Sequence, residues 1–256
     1  MTGRAVPEPD PGAAPPSLVP LVEGVRGLDA AWFGSRRDPA AGRGDGRRAA
    51  VLMLFADGDR GPDVLLTERA ATLRSHAGQV AFPGGRVDPG DTGPVDAAVR
   101  EAREETGLDP AGVVPLCLLP ELLVPPTGAL VTPVLAHWAR PVPVDVVDPA
   151  EVARVLRVPV AELADPANRI SVRGPRGYVG PAFRTSGLLV WGFTGGLLSA
   201  LLRRAGWERP WDEERVEGLD EAWAASARPG HGEPCPDELR GERVTDPVDR
   251  RDEVGR

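Results

Sequence analysis

Three glutamates crowd the run Arg100-Glu-Ala-Arg-Glu-Glu-Thr-Gly107, and their spacing puts them along one edge of a helix. With Pro94–Thr106 helical and Glu101 set at zero, Glu105 falls at about 40° and Glu104 at about 300°, a shared arc roughly 100° wide. Like charges at i,i+4 destabilise a helix by about 0.2–0.5 kcal/mol per pair, and by more where that edge lines a cleft. A divalent cation removes the conflict. Mg²⁺ takes octahedral oxygen ligands, a few carboxylates together with water and phosphate oxygens. The alternative for an Arg/Glu-rich helix is a solvated surface on which Arg100 and Arg103 pair with the neighbouring acids.

The elements that must hold this edge in place are also readable. On the same helix Val95, Ala98, Val99 and Ala102 form a separate apolar stripe that faces a core. Proline stands in its first turn and Gly107 is placed as its C-terminal cap. Upstream, Ala49–Ala56 reads as a buried strand, Asp57–Asp63 as a turn and Val64–Glu68 as a second strand. Gln79–Phe82 is a short strand that runs into Pro83-Gly84-Gly85. Downstream, strands are expected over Val113–Leu119 and Leu130–Trp138, a short helix over Pro149–Leu156, and a long one near residues 188–203. Short strands followed by isolated helices predict an α+β fold with a mixed sheet between helices. There is no internal repeat, and no Gly-x-Gly-x-x-Gly follows a strand.

Composition bounds the function from outside. The 256 residues carry a net charge of −8, which argues against a nucleic-acid surface. Residues 211–256 hold 14 Asp/Glu against 7 Arg, a local balance of −7. Nearly all the net charge therefore lies in that segment, and the rest need not repel an anionic substrate. Residues 1–16 are predicted as a disordered tail, 17–210 as the folded body, and 211–256 as an acidic, flexible tail whose Trp211 and Trp223 could dock on the body. The longest apolar stretch, Gly187–Leu202, is too short for a membrane span. The first residues lack the apolar core of a signal peptide, so the expected compartment is the cytoplasm. Cys117 and Cys235 cannot form a disulfide framework or a four-ligand zinc site.

Two longer patterns add a resemblance. Arg100-Glu-x-x-Glu-Glu-x-Gly107-Leu108 resembles the second half of the Nudix box, and Gly85 with five residues to Asp91 resembles the first. The match departs from the general box in two ways: Asp91 stands where the pattern has Glu, and one extra residue separates it from Arg100. The preceding run, Leu65-Leu-Thr-Glu-Arg69-Ala-Ala-Thr-Leu-Arg74-Ser-His76-Ala-Gly78-Gln-Val-Ala-Phe82-Pro-Gly-Gly85, is similar to the signature of the coenzyme A pyrophosphatase branch of Nudix hydrolases. Val124–Val134, Glu151-Val152 with Val158-Pro159, and Val190–Thr194 extend the likeness over roughly residues 49–203.

The resemblance implies an α/β/α sandwich with a loop-helix-loop catalytic motif, and a hydrolase that uses Mg²⁺ or Mn²⁺. It implies Glu101 and Glu105 as metal ligands with Glu104 completing the set, and cleavage of the diphosphate of coenzyme A or its thioesters. Arg100 is expected to orient a glutamate, Glu104 four residues on. Arg69 and Arg74 are candidate phosphate contacts because the guanidinium fork binds phosphate oxygens bidentately; a structural salt bridge is the other reading of each. Gly84 and Gly85 are expected at the substrate turn. His76 is a candidate base or phosphate donor, with a structural hydrogen-bonding residue as the other reading. The general base falls to Glu104 or Glu151, the latter also explicable as an acid favoured at a helix N-terminus. The implied partner is a coenzyme A-like nucleotide, with no nucleic acid or membrane; a homodimer is left open. Another nucleoside diphosphate derivative, such as ADP-ribose or a dinucleotide, is the alternative substrate, and a non-catalytic nucleotide sensor the alternative role.

Overall fold

A computed structural model describes residues 6–29, 33, 48–73, 75–124 and 128–226. Two of the sequence-based expectations, Arg74 as a phosphate contact and a flexible tail over 227–256, lie outside the described residues.

The centre is an eight-stranded mixed sheet. Its strands are β1 (Arg48–Gly58), β2 (Gly61–Arg69), β3 (Val80–Ala81), β4 (Gly84–Arg86), β5 (Val113–Leu118), β6 (Leu122–Val124), β7 (Ala129–Trp138) and β8 (Val152–Pro159). The main path runs β3-β2-β1-β7-β5, with β4 paired to β1, β6 to β7 and β8 to β2. β1 and β7 are parallel, with Leu52 opposite Val134, and the other pairings in this sheet are antiparallel.

β1 reads as an unbroken apolar run because both of its faces are covered. Ala50, Leu52, Leu54 and Ala56 pack with Ala97, Ala98, Val99 and Ala102 of helix α2 (Pro94–Thr106). Met53 and Phe55 face the opposite way, into a core built with α1 (Val19–Val25), the short α3 (Val160–Leu163) and α4 (Gly192–Arg204). Alternate residues of one strand thus serve two layers, and the α/β/α sandwich follows. A second sheet, ordered β11-β10-β9-β12, comprises β9 (Arg169–Arg173), β10 (Val179–Thr185), β11 (Leu188–Val190) and β12 (Val216–Gly218). It packs Ile170, Val172, Ala182 and Leu189 against Leu219 and Ala222 of α5 (Leu219–Ser226). Among the described residues, no helix is long and apolar enough to cross a membrane.

Three expectations are corrected. The helix expected over 149–156 is strand β8, which pairs along β2 from Asp63 opposite Pro159 to Arg69 opposite Val152. An open sheet edge outweighs weak local helix preference there, and Arg157 fixes the register through a forked bond to Asp63, 3.0 Å from Nε and 2.6 Å from Nη2. The apolar run near 188–203 divides into β11 and α4, with the break at Gly192 (φ 64°). The described parts of both tails are ordered. Asp10 caps a 3-10 turn at Pro11–Ala13 and its N–H donates to the Pro115 carbonyl at 3.0 Å. Residues 216–226 form β12 and α5, because Val216 and Glu217 pair beside Ser171 and Val172 of β9. One of their acids is paired locally: Glu217 binds Arg184 and Arg215.

Candidate active site

The site is assembled by β4, the loop 87–93 and α2. The helix ends where the sequence predicts, with Gly107 left-handed (φ 71°) and its N–H donating to the Arg103 carbonyl at 2.9 Å. Helix and strand meet at two carboxylates. Glu105 is 6% exposed, and one of its oxygens accepts from the Gly84 N–H at 3.2 Å. Glu101 lies against Gly85 so closely that a Cβ there would fall 2.4 Å from its carboxyl carbon. Glycine at 85 is therefore a packing requirement of Glu101. Gly84 and Gly85, expected at the substrate turn, are in direct contact with the carboxylates.

Electrostatics separates the three glutamates. Burial pushes the Glu105 carboxyl up to about 7, with the Gly84 N–H and the Arg69 charge opposing the rise, and Glu101 and Glu151 adding to it. Burial also raises Glu101, against the pull of Arg100. Glu104 is solvent-exposed and its Oε2 accepts from Arg100 Nη1 at 3.0 Å. Among the described residues, no three acidic, His or Cys side chains form a ready-made metal cluster. The pair Glu101 and Glu105 converges; Glu104 is turned to Arg100.

Arg100 is the hub of the loop. Its Nη1 is 3.1 Å from Glu101, and its Nη2 donates to the Arg86 carbonyl at 2.9 Å. Its principal partner is Asp91, held by a fork of 2.9 Å from Nε and 3.0 Å from Nη2. That fork, with the Asp88 N–H donating to Asp91 at 2.7 Å, holds the Asp91 carboxyl below its ordinary value although burial opposes it. The same bond to Asp91 raises the Arg100 guanidinium above its usual value. Arg100 does contact Glu104 as expected. The sequence reading missed that Asp91 anchors it; the signal available was an acid in a Gly-rich loop at the position where the box pattern is altered.

Two further charged residues, Arg69 and Glu151, act electrostatically on Glu105. Arg69 ends β2, and its Nε is buried with no hydrogen-bond partner among the described residues. The Ala70 N–H donates to the Glu151 carbonyl at 2.9 Å, which ties the foot of the β2–β3 loop to the residue preceding β8. Glu151 is exposed, and it lies before a strand instead of the helix expected there. His76 has φ 58° and its Nδ1 is 3.0 Å from Gln79 Oε1, so one ring nitrogen is engaged within the loop. Cys117 and His137 belong to paired strands, and burial raises the thiol and lowers the imidazole.

A family model described as NUDIX domain matches residues 46–174, which span β1 to β9 and the whole constellation above. The chain belongs to this family. Among curated Nudix relatives, the "Uncharacterized Nudix hydrolase NudL" of Cronobacter sakazakii (strain ATCC BAA-894) is 46% identical over 116 residues, 45% of this chain and 59% of the relative. Its namesake in Escherichia coli O7:K1 (strain IAI39 / ExPEC) is 42% identical over the same shares. The match thus spans less than two thirds of these relatives' length. Among solved Nudix structures, RenU from M. smegmatis superposes with a TM-score of 0.44 at 22% identity, covering 64% of this chain and 89% of RenU. The NUDIX domain of Shewanella oneidensis NrtR, complexed with ADP ribose, gives 0.39 at 20% identity, covering 53% of this chain and 86% of that one.

Proposed function

We propose that this protein is a divalent-metal-dependent Nudix hydrolase that cleaves the diphosphate of coenzyme A or its thioesters, releasing 3′,5′-ADP and 4′-phosphopantetheine or its acyl form. The observation that carries the reading is the convergence of Glu101 and Glu105 on Gly84-Gly85, with the buried, unpartnered Nε belonging to an Arg69 whose charge acts on Glu105. The coenzyme A assignment rests on the run Leu65–Gly85 and its likeness to that branch.

The donor set fits Mg²⁺ or Mn²⁺. Its atoms are carboxylate oxygens, hard ligands of the kind these ions select. Two of the carboxyls are raised by burial, and one is raised further by the other's charge, a conflict that a cation relieves. Glu101 and Glu105 would hold the ion with Glu104. When bound, the ion supplies charge neutralisation at the diphosphate and a position for the attacking water.

The chain's own residues account for the rest. Glu105 must give up its proton before it ligates, so ion binding at neutral pH releases part of a proton. Arg100 fixes the side chains of Asp91, Glu101 and Glu104 and so acts on orientation. Arg69 and Arg74 contact the phosphates. Water attacks one phosphorus, a carboxylate takes its proton, and the bond from that phosphorus to the bridging oxygen breaks, so the other phosphate leaves carrying that oxygen.

The test is chromatographic product analysis after incubating the protein with coenzyme A and Mg²⁺ or Mn²⁺, with an EDTA control. Metal-dependent release of 3′,5′-ADP is expected. Cleavage of ADP-ribose or a dinucleotide but not coenzyme A removes the branch assignment. No turnover of any of these removes the hydrolase reading and favours a nucleotide sensor. Arg74→Ala should weaken coenzyme A more than dephospho-coenzyme A; equal losses on the two would end the assignment of that residue to the 3′-phosphate.

A further inference from the structure

We propose that Trp223 of α5 is a positioning residue for the substrate side of the site, propping the β2–β3 loop that has Arg69 at its foot. The inference rests on the reading of that loop as a phosphate-binding wall. It also places part of the working site outside the matched segment 46–174, on a helix 49 residues beyond its end.

Two bonds close the base of the loop: Arg69 N–H donates to the Gln79 carbonyl at 2.9 Å, and Gly78 N–H to the Arg69 carbonyl at 3.1 Å. Inside it the Leu73 N–H donates to the Ala70 carbonyl and the Gln79 N–H to the His76 carbonyl, both at 3.2 Å, and His76 Nδ1 meets Gln79 Oε1 at 3.0 Å. His76 (φ 58°) and Gly78 (φ 65°) both occupy left-handed backbone, which glycine adopts freely and His76 only where its surroundings determine it. Gly78 lies against the indole of Trp223: a Cβ there would lie 3.0 Å from Cζ2 and 3.4 Å from Cη2 of the ring. The ring rests on bare backbone next to Gln79, whose carbonyl accepts the Arg69 N–H.

The prop itself is anchored. Leu219 and Ala222 of α5 are buried with Ile170, Val172, Ala182 and Leu189 of the second sheet. β12 runs into α5 and pairs with β9, and Ser171 reinforces the join: its N–H donates to the Arg215 carbonyl at 3.0 Å and its hydroxyl to the Glu213 carbonyl at 2.9 Å. Trp223 therefore transmits the rigidity of that sheet to the base of the loop. Its effect falls on Arg69, whose guanidinium Nε is already desolvated and unpaired, so less ordering remains to be done when an anion binds.

The experiment has two readouts on the full chain. The first, amide hydrogen exchange without substrate, is expected to show Gly78 and Gln79 losing protection in Trp223→Ala while Val172 in β9 keeps it; Trp223→Phe should restore most of it. Unchanged protection, or loss spread equally over β9 and β10, overturns the proposal. The second is steady-state kinetics on whichever diphosphate substrate the wild type cleaves. Trp223→Ala should raise KM by about fivefold or more with kcat within about twofold; an equal fall in kcat with KM unchanged overturns it. If the wild type cleaves none, the hydrolase reading fails alone, and the exchange result still decides whether Trp223 props the loop.

Discussion

Replacing Glu105 by Gln isolates the strongest electrostatic conflict in the protein. The Glu105 carboxyl lies 6% exposed and burial carries it from the ordinary 4.5 to about 7. The folded chain therefore keeps a proton through a pH range where the unfolded chain has released it. Stability from this source is fully present below pH 4.5 and is lost as pH rises through about 7. The displacement corresponds to about 3 kcal/mol between pH 4 and pH 8.5. Gln keeps the shape and an acceptor for the Gly84 N–H, and it does not titrate. In EDTA, urea unfolding of the wild type should thus weaken by about 3 kcal/mol more than the Glu105→Gln variant over that range, equivalent to roughly 6–12 °C in Tm. The difference between the two proteins cancels the titrating groups that do not interact with Glu105. Mg²⁺ added at pH 8.5 should recover stability in the wild type and little in the variant. Parallel pH profiles would refute the argument, since they would mean that Glu105 is solvated or already neutralised.

Other outcomes follow from the same geometry. Glu101→Gln should reduce turnover by roughly 10²-fold or more with the fold intact, and Gly85→Ala should do the same by pushing the carboxylate out of a 2.4 Å approach; activity near wild type in either removes Glu101 from the metal set. Asp91→Asn should cost about 1–3 kcal/mol in urea unfolding because one side of the Arg100 fork loses its charge; an unchanged midpoint would show the fork to be ornamental. Gln substitutions at Glu104 and Glu151 separate the base candidates: the base is the one whose variant loses about 10²–10⁴ in kcat and flattens the acid limb of the pH profile.

What the sequence shows of this site is angle, and what it hides is depth. The wheel sets Glu101, Glu104 and Glu105 on one edge, and α2 begins and ends where proline and Gly107 predict. On the wheel Glu105 borders the apolar stripe and Glu104 lies away from it, but the helix alone does not say how deeply Glu105 is buried. That depth comes from β4, a three-residue strand whose Gly84 N–H and Gly85 backbone press on two of the three carboxylates. Strand β8 was illegible for a related reason. Val152–Pro159 carries branched residues at spacings that suit either a helix or a strand, and the open edge of β2 decides between them. The acidic count over 211–256 gave the wrong picture for its first sixteen residues because charge composition ignores pairing: Glu217 meets Arg184 and Arg215.

The altered box becomes intelligible once Arg100 is seen as its hub. Asp91 is one methylene shorter than the glutamate of the general pattern, and one more residue separates it from Arg100. A shorter acid on a longer loop reaches the same guanidinium. The Asp88 N–H donates to Asp91 at 2.7 Å, and both carboxylate oxygens take the Arg100 fork at 2.9 and 3.0 Å. The shorter acid and the added residue thus leave Asp91 bonded to Arg100. Arg100 is left with its remaining nitrogen free to meet Glu101 and Glu104. The carboxylates proposed to hold a cation are thus oriented from a loop anchor that a search for the unaltered pattern would not find.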